Sequence, residues 1–164
     1  MKSILCVLVV FLCGTIGINI KNTIYKKYQF YAEINAFFHF ISIKIAFFNE
    51  LYADCILNFI NSNNLKNKKF FTELLGLIND NNLTKDNFKK TINNSVTTQE
   101  KEDLFNMFSA IGTTDIQNQN TIISGNIKQL ELKLNQLSQL KKTKGDVFGK
   151  LGICIGLVIC ILIY

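Results

Sequence analysis

FSAIGTTDIQNQNTI, residues 108–122, closes one helix and opens another within a few positions. Phe108 and Ile111 complete an apolar stripe, and Gly112 follows. A glycine just past a helix suits the left-handed position there, because it has no Cβ to clash. Thr114 to Gln117 then forms a capping-box pattern, in which a threonine side chain and a Gln side chain satisfy each other's free backbone amides. Asp115 in the first turn complements the positive end of the helix dipole. From Ile116 the apolar positions Ile123, Ile127, Leu130, Leu134 and Leu137 recur at spacings of seven, four, three, four and three. That is a coiled-coil-like seam on one long helix. Ser124-Gly125 weakens it slightly, and Gly145 is a candidate hinge. The break at Gly112 therefore lets a short helix fold back, and the long helix beyond it leads toward the chain end.

Upstream, the periodicity is again helical. Ile24, Tyr28, Tyr31, Ile34, Phe38, Ile41, Ile45 and Phe48 recur at threes and fours, and Phe30, Phe37, Phe40 and Phe47 form a second stripe. A helix apolar on most of its circumference is usually central in a bundle. The single histidine, His39, lies within this aromatic cluster and reads as core packing. The same spacing continues from Asn49 to Ile60. The loop NSNNLKNKK interrupts it, and FFTELLGLI predicts a short helix before a second loop, NDNN. Thr84 is positioned to cap a helix carrying Phe88, Ile92 and Val96. Thr97 with Glu100 forms another capping box, ahead of Leu104, Phe105, Phe108 and Ile111. Strict alternation is nowhere sustained, so the fold class is all-α, a small helical bundle.

The two ends differ from this middle. Residues 4–18, ILCVLVVFLCGTIGI, carry no charge, and neither do residues 151–164, LGICIGLVICILIY. A membrane core of ~30 Å needs about 20 helical residues. The first run reaches that with Asn19 and Ile20. The second has 14 residues, about 21 Å. It lengthens to about 27 Å if Val147 and Phe148 are included and Lys150 snorkels to the interface. No small-residue cleavage site follows the first run, so a retained anchor is expected rather than a removed leader. Lys21, Lys26 and Lys27 follow the first run, and Lys141, Lys142, Lys144 and Lys150 precede the second. Positive residues flanking a span stay on the cytoplasmic side. The expected organisation is an anchor at 1–20, a cytoplasmic helical bundle at 21–146, and a second anchor at 147–164, with membrane lipid as a partner.

Composition narrows the chemistry. The chain has 164 residues, a net charge of +6 and no proline; every strong base is lysine. Those lysines are mostly interspersed with Asp and Glu, unlike the one-faced basic stripe of nucleic-acid binders. No nucleic-acid partner is expected. Cys6, Cys13, Cys154 and Cys160 lie in the apolar ends and Cys55 on a central helix, with no zinc-ligand spacing. They read as small apolar residues. There is no Gly-rich phosphate loop, no His-Glu-x-x-His and no Cys-x-x-Cys. No cofactor, metal or enzymatic activity is expected.

One pattern resembles a known family. Ile111-Gly112, then Asp115, then Gln119 four residues later, followed near the terminus by Leu151-Gly152, Gly156 and LVICILIY, is similar to the carboxy-terminal half of the stage III sporulation protein AB family. The likeness extends to the aromatic-rich first helix and the two apolar ends. Where that family usually has a Glu-Ile pair late in the first helix and a turn with proline, this chain has Lys44-Ile45 and no proline. The resemblance implies a membrane subunit of the mother-cell machinery that joins mother cell and forespore. It implies a cytoplasmic domain similar to half of the inner-membrane platform protein of type II secretion systems. The implied partners are a stage III sporulation protein AA-like motor ATPase and other subunits of the channel. Ile111, Gly112, Asp115, Gln119, Leu151, Gly152 and Gly156 are the implied interface or structural positions. The alternative is a stand-alone membrane scaffold or a holin-like small membrane protein, whose action would reside in its spans.

Overall fold

The computed structural model describes residues 2–48, 51–111, 116–145, 147, 154, 155, 158, 159 and 161. Every element among them is helical. In chain order these are α1 (Lys2–Phe48), α2 (Tyr52–Ser62), α3 (Lys68–Asn79), α4 (Lys85–Thr91), α5 (Thr98–Ser109) and α6 (Ile116–Leu140). A π-helical turn, Lys141–Gly145, follows α6. Among the described residues no helix is long and apolar enough to cross a membrane. The expected anchor at 147–164 falls mostly outside the described residues, as do the side chains of the first 13.

The chain divides into two compact units, one of Met1–Tyr28 with Asn135–Tyr164 and one of Gln29–Leu134. In the second unit, α2 packs on α3, α3 on α4, and α4 on α5. Phe30, Tyr31, Ile34, Phe37, Phe38 and Ile41 of α1 are buried there, a stripe at the spacing a helix needs to bury one side. The core they enter is built largely of rings. Phe37 lies 5.3 Å from Phe59, 5.5 Å from Phe71 and 5.8 Å from Phe108 between centroids. Phe108 in turn meets Phe38, Phe70 and Phe88 at 5.3–5.8 Å. Most of these pairs are edge-on or tilted, which places a ring's positive edge near another's negative face.

Three features depart from the sequence expectations. The helical stripe does not run on from α1 to Ile60: α1 ends at Phe48, and Leu51 is extended before α2. A continuous helix would hold Phe59 about 33 Å from Phe37 at 1.5 Å per residue. The break brings the two rings into contact. Ile92 and Val96 are buried but not helical, because α4 stops at Thr91. The Lys101 ammonium donates to the carbonyls of Ile92 (2.8 Å) and Lys89 (3.2 Å), satisfying acceptors that a further helical turn would have used. His39 is not a core residue. Its side chain is half exposed, and its Nε2 lies 3.5 Å from Oε1 of Glu131. With exposed Ala36 and Ile43 it marks the outward stripe of α1, three and four residues apart.

Two of the three predicted caps form, and the Thr114–Gln117 box involves residues outside those described. Thr84 Oγ1 accepts from the Asn87 amide, and Thr97 with Glu100 forms the full reciprocal box. The end of α3 is less obvious from sequence. The Asn82 amide donates to the Leu77 carbonyl and the Asn81 amide to that of Ile78, with Asn81 left-handed at φ 50°. This is a Schellman ending with asparagine in glycine's usual place. Asn81→Ala is expected to lower stability by about 1 kcal/mol, since alanine tolerates the left-handed region less well. Asn81→Gly is expected to preserve or raise it; thermal melts of the detergent-solubilised chain distinguish the two.

A long-range clamp completes the unit. Glu33 on α1 accepts hydrogen bonds from the amides of Lys66 (2.9 Å) and Asn67 (3.0 Å), and from the Asn67 side chain (3.0 Å). One carboxylate thereby holds the connector between α2 and α3.

Candidate interaction surface

Of the motif residues, Ile111 and Gln119 lie among the described side chains. Ile111 is buried where α5 ends, and its amide approaches the Phe108 carbonyl at 3.4 Å. The ring cluster around Phe108 therefore fixes the point at which the chain leaves α5. Gln119, in the first turn of α6, is the buried polar residue among those described, at 8% exposure. Both residues are interior to the same unit, and they bracket the α5–α6 connection. Gly112, Asp115, Leu151, Gly152 and Gly156 lie outside the described residues.

The seam of α6 forms as its spacing requires. Ile123, Leu130 and Leu137 are buried, and Ile127 and Leu134 are half-buried. Beside it runs a groove of about 360 Å³ that the sequence did not disclose. Its walls include Asp103, Leu104 and Met107 of α5 and Asn126, Leu130 and Lys133 of α6, with Tyr31 at its base. The Lys133 ammonium bonds Glu100 Oε1 at 2.7 Å and stands 5.9 Å from the centre of the Tyr31 ring. Glu100 thus has two tasks. Its other oxygen, Oε2, accepts from the Thr97 amide at 2.9 Å in the capping box. The Nδ2 atom of Asn126 is buried with no hydrogen-bond partner. A buried donor left so is costly unless something supplies an acceptor.

The groove shifts the chemistry of its tyrosine. Burial, then the charges of Glu100 and Asp103, push the Tyr31 hydroxyl well above the usual tyrosine range. Burial does the same to Tyr52, with a smaller contribution from Cys55. A raised value means that the folded state prefers the neutral phenol. That preference stabilises the fold fully below about pH 10 and is lost as pH climbs toward the raised values. Two of the five tyrosines are therefore expected to ionise only as the chain unfolds. Alkaline titration of the tyrosinate absorbance alongside circular dichroism reads this directly.

On the neighbouring face, Glu102 receives Lys89 at 2.6 Å and Lys85 at 3.1 Å. Hydrogen bonds from Lys89 and then Lys85 hold its carboxyl below the usual range. These charges tie α4 to α5. Among the described residues no group of three or more His, Cys, Asp or Glu side chains is placed to hold a metal ion. The described geometry offers a groove with fixed charges and an unpaired amide.

The family model for stage III sporulation protein AB matches residues 2–164. No curated protein matches, and no solved structure matches.

Proposed function

The chain belongs to the stage III sporulation protein AB family, and from that premise we propose that it is a membrane platform subunit of the apparatus joining mother cell and forespore. In this reading residues 1–20 and 147–164 are its anchors, and the helices between them face the mother-cell cytoplasm. The bundle couples a motor ATPase of the stage III sporulation protein AA kind to the remaining channel subunits, and it catalyses no reaction itself.

The observation that carries the reading is the extent of the family match, which takes in both apolar ends as well as the helical middle. Supporting it, lysines flank the inner side of each apolar end, the arrangement that keeps a segment cytoplasmic. The groove beside α6 supplies a surface for the coupling partner, with the buried Asn126 amide aligning an acceptor from that partner.

Two measurements test it. Deleting the gene from a sporulating host should sharply reduce heat-resistant spores, and expression in trans should restore them. Unchanged spore counts would refute a sporulation role. Pull-down of the tagged full-length chain from crosslinked sporulating cells should recover the motor ATPase. Recovery of channel subunits without it would sink the coupling while leaving the platform.

A further inference from the structure

The unit formed by the two chain ends contains a cavity of about 380 Å³, lined by Lys21, Asn22 and Tyr25 of α1 and by Lys141 and Lys142 of the π-helical turn. We propose that this cavity is a binding site for a phosphoryl oxyanion, presented by an anionic glycerophospholipid headgroup at the membrane surface. The site rests on the membrane reading above and adds to it a defined ligand class.

Charge is the first support. Three of the five described lining residues, Lys21, Lys141 and Lys142, are lysines. Gathered around one concavity, their ammonium groups raise a positive potential that draws an anion in. The second support is preorganisation. The Lys141 ammonium stands 4.6 Å from the centre of the Tyr25 ring and 5.1 Å from that of Tyr28. Two ring faces hold it by cation–π attraction, so less side-chain freedom is lost when a ligand arrives. The third is backbone geometry. A π-helical turn is rare and is found frequently at functional sites. Here it begins at Lys141, directly after the regular hydrogen bonding of α6 ends, and Thr143 Oγ1 bonds back to the Gln139 carbonyl at 2.7 Å. The turn displaces Lys141 and Lys142 from the register that α6 would have given them.

Placement selects the headgroup over free phosphate. Lys21 directly follows the apolar run at the amino end, and the turn leads into the apolar run at the carboxy end. Tyrosines favour the headgroup depth of a bilayer, where one end of the ring is apolar and the other wet. Basic pockets between helices on the cytoplasmic side of a membrane recognise anionic headgroups by the same chemistry.

The test uses the full chain in neutral-detergent micelles, titrated with dioleoylphosphatidylglycerol, dioleoylphosphatidylcholine and inorganic phosphate, with bound ligand read by native mass spectrometry. Phosphatidylglycerol should bind saturably and more tightly than phosphatidylcholine. Lys141→Gln with Lys142→Gln should weaken it about 30-fold, on the usual contribution of a lysine near an anionic surface. Lys68→Gln with Lys69→Gln, on exposed α3 positions, should leave it unchanged. Saturable binding of inorganic phosphate that displaces the lipid would keep the oxyanion site but overturn its assignment to a headgroup. Equal lipid binding by both double variants would overturn the site. Flotation with pure phosphatidylcholine vesicles separates this from the anchoring itself: both variants should float. A chain that fails to float refutes the anchors, while the micelle titration still reports on the cavity.

Discussion

Phe37→Ala is expected to lower the stability of the chain by about 3–5 kcal/mol, the range for removing a large buried ring. Phe37 is fully buried. It meets rings from three other helices: Phe59 of α2, Phe71 of α3 and Phe108 of α5. Truncation removes the transfer free energy of one ring and leaves a void that three rigid neighbours cannot fill by rotamer changes alone. Phe37→Leu should cost less, because it restores much of the volume. Phe105→Ala should also cost less, since Phe105 is half-buried and its described ring contact is with Phe88 at 5.7 Å. Chemical denaturation of the detergent-solubilised protein, followed by far-UV circular dichroism, ranks the three. Equal losses for Phe37→Ala and Phe105→Ala would refute the picture of a ring-centred core.

Glu100→Ala is expected to cost about 2 kcal/mol. Roughly 1 kcal/mol of that is the lost cap. The remainder comes from Lys133, one-third exposed and left without this partner. Water still reaches both groups, so the ion pair contributes at the upper end of a surface pair rather than as a buried one. Glu100→Gln separates the two contributions. Its amide oxygen can still accept from Thr97, but its amino group faces the Lys133 ammonium without charge to offer. The glutamine variant should therefore retain the cap and lose the ion pair. A double-mutant cycle with Lys133→Met measures the pair alone; a coupling near zero would show that Glu100 acts through the cap only.

These two residues illustrate what sequence could reveal and what it could not. The capping box at Thr97 and Glu100 is legible because its partners lie three positions apart, and the structure forms it as read. The loops between α2 and α3 and between α3 and α4 announce themselves through asparagine, although α2 takes in Ser62 and α3 runs from Lys68 to Asn79, and the all-helical class follows from spacing alone. The ion pair of Glu100 with Lys133 has no such signature, since its partners are brought together only by the packing of α5 against α6. The break before α2 was equally silent. Apolar positions keep helical spacing on both sides of it, so periodicity cannot show where one helix ends. His39 misled for a related reason. Its aromatic neighbours in sequence occupy the inward stripe, whereas its own angle on the helix points outward. At the candidate surface, Ile111 and Gln119 lie in the interior on either side of the α5–α6 connection, and the other five motif residues lie outside those described. In the sequence, the lysines beside the apolar ends mark orientation only. The cavity that Lys21, Lys141 and Lys142 share with Tyr25 exists because the amino-terminal part of α1 and the turn after α6 lie in one unit.

The Glu33 clamp offers a built-in reporter. Amides in a connector ordinarily exchange with solvent deuterium quickly, because nothing protects them. Those of Lys66 and Asn67 are held by an oxygen from a residue 33 and 34 positions upstream. Their exchange rate therefore registers whether α1 is seated against the start of α3, and two loop peptides in a mass spectrum become a gauge of how often the bundle opens.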